Sequence, residues 1–385
     1  MKYLHIIPLD SLLILPLAKM IQRYGDADEH EFMVTVTYQS ILRNDPKMLA
    51  IKGLKCIPSF KRHKKLRKML FIFRQAKKAD HVIWHSFRTN SGYNPVLLFL
   101  NRKLLMKSTW IAADGELGNY TNVPNRILNR FIPRITRYVQ KRLAYIGVCF
   151  PSDQEVFANQ GIDRARIAVL PYPIPAKREA LLDFAIRQDK LACGAGCLKL
   201  QLGMTSQRGN QHRALMEKMS GLAGVEQAFA FIPFKYFLKE ARCVSGTKKY
   251  QNSIRRKGKQ LPCRSVFMDR PVSAQSFLKY VSQLDAVFLM NQAACALEFL
   301  FYLLAQEKKV FLPADSPLFI YLNCLGAGIQ PLERIDEGLS LQEVLDCPNA
   351  CLPAALKDYY HTERLAGVWE EWFQSLSAAR QAVEV

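Results

Sequence analysis

The 385-residue chain is 49% hydrophobic, yet it has no apolar run of the roughly 20 residues that a membrane-crossing helix needs. Its best approach, Ile6 to Leu17, is shorter than that and is broken by Pro8, Asp10 and Pro16. Lys2 alone makes a poor signal-peptide start and no small-residue cleavage site follows, so export is not expected and the cytoplasm is the default location. Closely spaced cysteines are also scarce. Of ten, only Cys193/Cys197 and Cys347/Cys351 stand near each other, without a neighbouring histidine, which argues for reduced thiols and against a structural zinc or any other bound metal. Acidic residues are few as well, 33 Asp and Glu against 54 Lys and Arg. The excess is lopsided: residues 1–180 hold 30 basic and 13 acidic side chains, whereas residues 181–385 hold 24 and 20. A basic first half attracts polyanions, whether nucleic acid, anionic lipid or a diphosphate-bearing substrate. No RNA- or DNA-binding motif is present and the aromatics are not interleaved with the basic runs, so nucleic acid is not an expected partner, and a basic nucleic-acid-binding module or a non-catalytic ligand-binding protein is the alternative reading.

Short apolar strands alternating with helical stretches fill both halves. The pattern predicts strands at Tyr3–Ile7, Glu31–Tyr38, Lys55–Pro58, His81–His85, Thr109–Ala113, Tyr145–Phe150 and Ile167–Leu170, with a helix over Leu12–Tyr24. Pro171-Tyr-Pro-Ile-Pro175 then punctuates the chain, and a connecting helix is expected around Lys177–Lys190. Strands resume at Leu198–Leu202, Gln227–Ile232, Ser265–Met268, Ala286–Met290 and Lys309–Leu312. The expected fold is α/β, of the GT-B plan: two Rossmann-like βαβ domains facing a central cleft. Its parts would be an acceptor-binding domain (1–172), a linker (173–195), a nucleotide-sugar-binding domain (196–330) and C-terminal helices (331–385). This last segment carries Trp369, Trp372 and Phe373 and would pack back on the body.

The most informative stretch runs from Leu198 to His212, an alternating strand that ends in Gly203 and gives way to a polar loop and a helix. Such a junction gathers unpaired backbone N–H groups and positive helix dipole, with Thr205, Ser206, Arg208, Asn210 and His212 as added donors. It is a cradle for phosphate, although an ordinary βα loop has the same shape. In a sugar transfer, one group takes up or orients the acceptor proton while cations and N–H groups hold the departing diphosphate. Asp114-Gly-Glu116 follows a strand on a glycine-bearing loop, and either carboxylate could be the base, unless the segment is a solvated turn. His81 and His85 share a strand face about 13 Å apart, too far for one metal ion. His85 is a candidate acceptor or phosphate contact, or else a structural histidine. Glu298, opening a helix, is placed to hold ribose hydroxyls or simply to cap its helix. Tyr236 would bond to or stack on the base, or pack in the core. Arg126, Arg130, Arg134, Arg137 and Lys141 recur at helical spacing beside Phe131, Ile132, Ile135 and Leu143. That is how a monotopic helix rests on anionic lipid, and also how an ordinary solvated face looks. Lys61–Lys68 is a second basic run, and Lys248–Lys259 reads as a basic loop, either closing over a diphosphate or mobile.

The order of short motifs resembles glycosyltransferase family 56. It runs from His5 and Glu31-Phe-Met-Val34 through Trp84-His85, Asn94-Pro95, Ala113-Asp114, Gln140-Lys-Arg142 and Gly147. It continues with Gly203, Arg208, Asn210 and His212, then Pro233 with Tyr236, Asp285 and Ser316-Pro317. The resemblance implies transfer of N-acetylfucosamine from a TDP-sugar to the lipid-linked disaccharide of enterobacterial common antigen. It favours Asp114 over Glu116 as the base and places Ser316 at the donor. The partners it implies are a nucleotide sugar as co-substrate, a polyprenyl-diphosphate-linked glycan and the anionic inner membrane surface, with no cofactor. Three positions depart from the family: Ile111-Ala112 stands for Trp-Gly, Met204-Thr205 for Asn-Ser, and Gln292-Ala-Ala-Cys-Ala-Leu-Glu298 for Gln-Gln-Gly. These departures leave the donor open between TDP- and UDP-sugars.

Overall fold

A strand buried on both faces reads as a nearly unbroken apolar run, and Tyr-Leu-His-Ile-Ile forms the first, β1 (Tyr3–Ile7). In a computed structural model of the chain, residues 1–9, 13–60, 64–86, 93–112, 128–187, 197–204, 211–234, 248–269, 274–290 and 297–384 are described. They form two compact units, residues 1–175 with 358–385, and residues 176–357. The sequence pattern places the boundaries at 172/173, 195/196 and 330/331.

The first unit is a seven-stranded, all-parallel sheet. Its strands are β1, β2 (His30–Val34), β3 (Lys55–Cys56), β4 (His81–Trp84), β5 (Ser108–Ala112), β6 (Tyr145–Val148) and β7 (Ile167–Val169), in the order β3-β2-β1-β4-β5-β6-β7. Among the described residues seven α-helices connect them: α1 (Ile14–Tyr24), α2 (Tyr38–Asn44), α3 (Lys64–Lys78), α4 (Tyr93–Phe99), α5 (Arg102–Met106), α6 (Leu128–Gln140) and α7 (Ser152–Ala158). One sheet face buries Leu4, Ile6, Val82 and Trp84 in a core with Trp110 and Val139. The other buries Tyr3, Phe32 and Ile83 against α1 and the C-terminal helix.

The second unit opens with α8 (Ala176–Arg187) and builds a six-stranded parallel sheet. Its strands are β8 (Lys199–Leu202), β9 (Phe229–Pro233), β10 (Arg264–Met268), β11 (Ala286–Phe288), β12 (Lys309–Leu312) and β13 (Gln330–Pro331). The order β10-β9-β8-β11-β12-β13 repeats that of the first unit. Its helices are α9 (His212–Ser220), α10 (Lys248–Gly258), α11 (Ala274–Ser282), α12 (Leu297–Ala305), α13 (Pro317–Cys324) and α14 (Leu341–Leu345). The expected linker helix α8 is thus an integral part of the second unit: Gln306 Nε2 donates to Ala185 O at 2.7 Å and Tyr302 Oη to Arg178 O at 3.0 Å. The Lys248–Lys259 segment, read as a loop, is the helix α10, with buried Ile254 as its apolar anchor.

Finally α15 (Thr362–Glu384) returns to the first unit. Trp369 Nε1 donates to Pro171 O at 2.9 Å, and Tyr3 Oη donates to Phe373 O at 2.9 Å. Among the described residues no helix is long and apolar enough to cross a membrane.

Candidate functional site

In open parallel sheets, ligands gather outside the carboxyl ends of the strands where the strand order reverses. In the second unit that point lies between β8 and β11, where Gly203 N donates to Phe288 O at 2.9 Å. Gly203 has a φ of +74°, a left-handed conformation that side chains resist. A Cβ there would also come within 2.5 Å of His212 Nε2. The glycine therefore lets the imidazole of α9 seat against the strand end. Behind it, buried Gln201 donates from Nε2 to Gly203 O at 2.8 Å and accepts from Tyr280 Oη at 2.8 Å. Burial raises the Tyr280 phenol well above its ordinary value, so it stays a donor.

His212 is wholly buried, and burial pulls its pKa down to about 3. The expected phosphate cation is thus a neutral ring at physiological pH. Its Nδ1 meets Tyr250 Oη at 3.4 Å, and its Nε2 has no hydrogen-bond partner among the described residues. Gln211 before it is left-handed (φ 45°) and gives no side-chain cap, so the first N–H groups of α9 lack a side-chain acceptor at the N-cap. A neutral imidazole beside an uncapped helix start is a donor set suited to an anion. Thr205, Ser206, Arg208, Asn210 and Tyr236 lie outside the described residues.

Two expected donor contacts are committed elsewhere. Glu298, 7% exposed, accepts from Arg178 Nη1 at 2.7 Å and from Tyr302 Oη at 3.3 Å, so its carboxylate clamps α8 onto α12 instead of facing a ribose. Burial raises its pKa, with the Arg178 charge opposing. Ser316 is fully buried as the N-cap of α13, its Oγ accepting from Phe319 N at 3.1 Å, and has a capping role in place of a donor contact. Basic α10 is similarly engaged: Arg255 pairs with Asp269 and lies over the Phe234 ring, 4.8 Å from its centroid.

In the first unit, His85 is corrected from acceptor contact to core residue. It is 1% exposed, with Nδ1 2.6 Å from Tyr172 Oη and Nε2 2.9 Å from His5 Nδ1, so neither nitrogen is available to a substrate. Burial brings its pKa to about 3. The row continues: His5 Nε2 lies 3.0 Å from His30 Nδ1, and His81 Nε2 lies 2.8 Å from Thr109 Oγ1. Asp114, Glu116 and Arg126 lie outside the described residues, as does the Arg130 side chain. Arg134, Arg137 and Lys141 are exposed on and just after α6. Beside them stand exposed Tyr138, packed edge-on to Phe99 with centroids 5.1 Å apart, and Arg142 over the Tyr138 ring. Sequence reasoning missed Gln201, Tyr250 and Tyr280. Of these only Gln201 leaves a trace, as a polar residue inside an apolar strand.

No protein-family model and no curated protein matches the chain. Solved structures do. The chain is similar to HepE of Anabaena in complex with UDP-glucose, with a TM-score of 0.56 at 10% identity over 97% of this chain and 100% of that one. It is similar to trehalose-6-phosphate synthase from Burkholderia multivorans (TM-score 0.55, 11% identity, 100% and 98% covered). The N-terminal domain of Candida albicans trehalose-6-phosphate phosphatase also matches (TM-score 0.53, 11% identity, 98% and 96% covered). The fold is that of the GT-B glycosyltransferases.

Proposed function

We propose that this chain is a glycosyltransferase that takes a sugar from a UDP- or TDP-linked donor. The observation that carries the reading is the β8–α9 junction: Gly203 at positive φ, the uncapped start of α9 and the unpartnered Nε2 of buried His212. It stands at the switch point of a sheet whose fold recurs in a HepE structure holding UDP-glucose. Helix-start amides stabilise the departing diphosphate by offering donors already fixed in place, and the His212 ring adds one more in its Nε2–H tautomer. Diphosphate stabilisation by these groups needs no metal, and metal-independent transfer is part of the proposal. Asp114 is proposed as the base, with Glu116 as the other carboxylate of its loop.

The acceptor is proposed to be a polyprenyl-diphosphate-linked glycan at the inner membrane surface, in the synthesis of a bacterial surface polysaccharide of the family 56 kind. Supporting it are the cations of α6 and, around α4, the exposed apolar side chains Phe99, Leu100 and Tyr138. Leu66 and Leu70 on α3, which also packs against α4, extend the apolar surface. Cations flanking apolar side chains suit an interfacial surface.

The test is a thermal-shift titration with UDP and TDP, followed by turnover of the sugar nucleotide that stabilises best. Ligand-dependent stabilisation should follow mass action. Asp114→Asn should abolish transfer while nucleotide binding persists. An unmoved melting point with both nucleotides would refute the donor site; binding without turnover would identify a ligand-binding relative.

A further inference from the structure

The chain carries a large positive excess, yet one cavity of its first unit is lined by carboxylates without a single Lys or Arg. The cavity measures about 400 Å³, within the range of small-molecule sites. It lies between the C-terminal end of α1, the turn that follows, and α15. Its aromatic lining is Tyr3, Tyr24, Trp369 and Phe373, with His30 among them. Asp26, Glu29 and Glu370 supply the charge. Glu29 accepts from the Met1 amine, whereas Asp26 and Glu370 are exposed and make no ion pair among the described residues.

His30 is an independent sign of a ligand. It is 8% exposed, its ring stacks on Tyr3 with centroids 4.8 Å apart, and its Nδ1 is committed to His5. Among the described residues its Nε2 makes no hydrogen bond, and the residue lines the cavity. Burial lowers its pKa to about 4, so the ring is neutral near pH 7. The row His30, His5, His85, Tyr172 can order its protons in two senses. In one, each Nδ1–H donates inward, ending on Tyr172 Oη, and His30 Nε2 is left as an acceptor facing the cavity. In the other, Nε2 carries the hydrogen. Surrounding carboxylates select a positive ligand, and a positive ligand with an N–H selects the first sense.

We propose that this cavity is a binding site for a small organic ammonium ion whose N–H donates to His30 Nε2, with Asp26 and Glu370 balancing its charge and Trp369 and Phe373 covering its carbon atoms. Tyr3 and His30 open β1 and β2, so the site sits at the amino edge of the sheet, opposite the edge where parallel sheets take their substrates. It is therefore distinct from the donor site proposed above. Its ligand would bridge α1 and α15 and hold the returning helix in place.

The experiment is a titration of the full chain with putrescine, read by tryptophan fluorescence, with 1,4-butanediol as the uncharged isostere and tetramethylammonium as the cation without N–H. Saturable binding of putrescine by about 10 mM is expected, at least roughly tenfold tighter than either comparison compound. Asp26→Asn with Glu370→Gln should weaken it by roughly tenfold or more while leaving the UDP thermal shift unchanged. Both residues are exposed, so the variant should fold. Absence of saturation, or putrescine affinity unaltered in the double variant, would overturn the site. Equal affinity for tetramethylammonium would overturn the His30 contact and with it the N–H requirement.

Discussion

Acidification should unfold the first unit well before the second. Four of its histidines are buried and neutral: burial holds His5 well below its ordinary value, His30 at about 4, and His81 and His85 at about 3. Unfolded, each would titrate near 6.5. Below that pH the unfolded chain takes up protons that the native unit refuses, so stability falls as pH falls, and levels off only near the native values. At about 1.4 kcal/mol per pH unit, each group removes about 2 kcal/mol by pH 5, and four remove about 8 kcal/mol. That is comparable to the whole stability of a typical domain, about 5–15 kcal/mol. In the second unit only His212 acts this way, and the raised pKa of Glu298 works in the opposite sense. The assay is convenient because Trp84, Trp110, Trp369 and Trp372, all the tryptophans of the chain, belong to the first unit. Urea unfolding followed by tryptophan fluorescence, at about pH 7.5 and pH 5 in about 0.5 M NaCl to screen the net positive charge, reads that unit by itself. A loss smaller than about 2 kcal/mol would refute the reasoning, because it would mean that these rings are protonated in the native state or hydrated in it.

Three further outcomes are expected. Gly203→Ala forces a side chain into a left-handed conformation and onto the His212 ring, costing at least about 2 kcal/mol, so the melting point and the UDP-dependent shift should both fall; an unchanged shift would disconnect this junction from nucleotide binding. Glu298→Gln removes the carboxylate from the buried Arg178–Glu298 ion pair and should destabilise the second unit by about 3–5 kcal/mol, while UDP affinity of the folded protein is retained; selective loss of affinity would restore the ribose role. Replacing Arg134, Arg137 and Lys141 together by Gln should weaken binding to anionic vesicles by about 3 kcal/mol, roughly 100-fold, with little change on neutral vesicles, and equal loss on both would count against an electrostatic membrane face.

Much of the architecture was legible because parallel strands buried on both faces are written as apolar runs. β1 and β12 coincide with their expected bounds, Tyr3–Ile7 and Lys309–Leu312. The strand expected over Glu31–Tyr38 stops at Val34, since Thr37 caps α2, its Oγ1 accepting from Ser40 N at 3.3 Å. β13 has two residues and no hydrophobic signal to find. Side-chain commitments were the illegible part. Arg178 and Glu298 are 120 positions apart, and nothing local tells a carboxylate that opens a helix toward ligand from one that closes a buried pair. The histidines misled for a related reason: spacing revealed that His81 and His85 share a face, but not that α1 and α15 cover it.

The two units nonetheless diverge in an instructive way from one strand order. Each holds a buried, neutral imidazole with one nitrogen uncommitted, His30 in the first and His212 in the second. A neutral imidazole is indifferent to the sign of its ligand, because it can donate or accept by exchanging tautomers. The surrounding field decides. At His212 that field comes from the uncapped start of α9, where amide hydrogens favour an anion. At His30 it comes from the carboxylates of Asp26 and Glu370, which favour a cation, Glu29 being paired with the Met1 amine. The proposed nucleotide and ammonium sites would thus use one side-chain chemistry at opposite sheet edges, and a charge reversal of the His30 rim should exclude the ammonium ion without touching the ring.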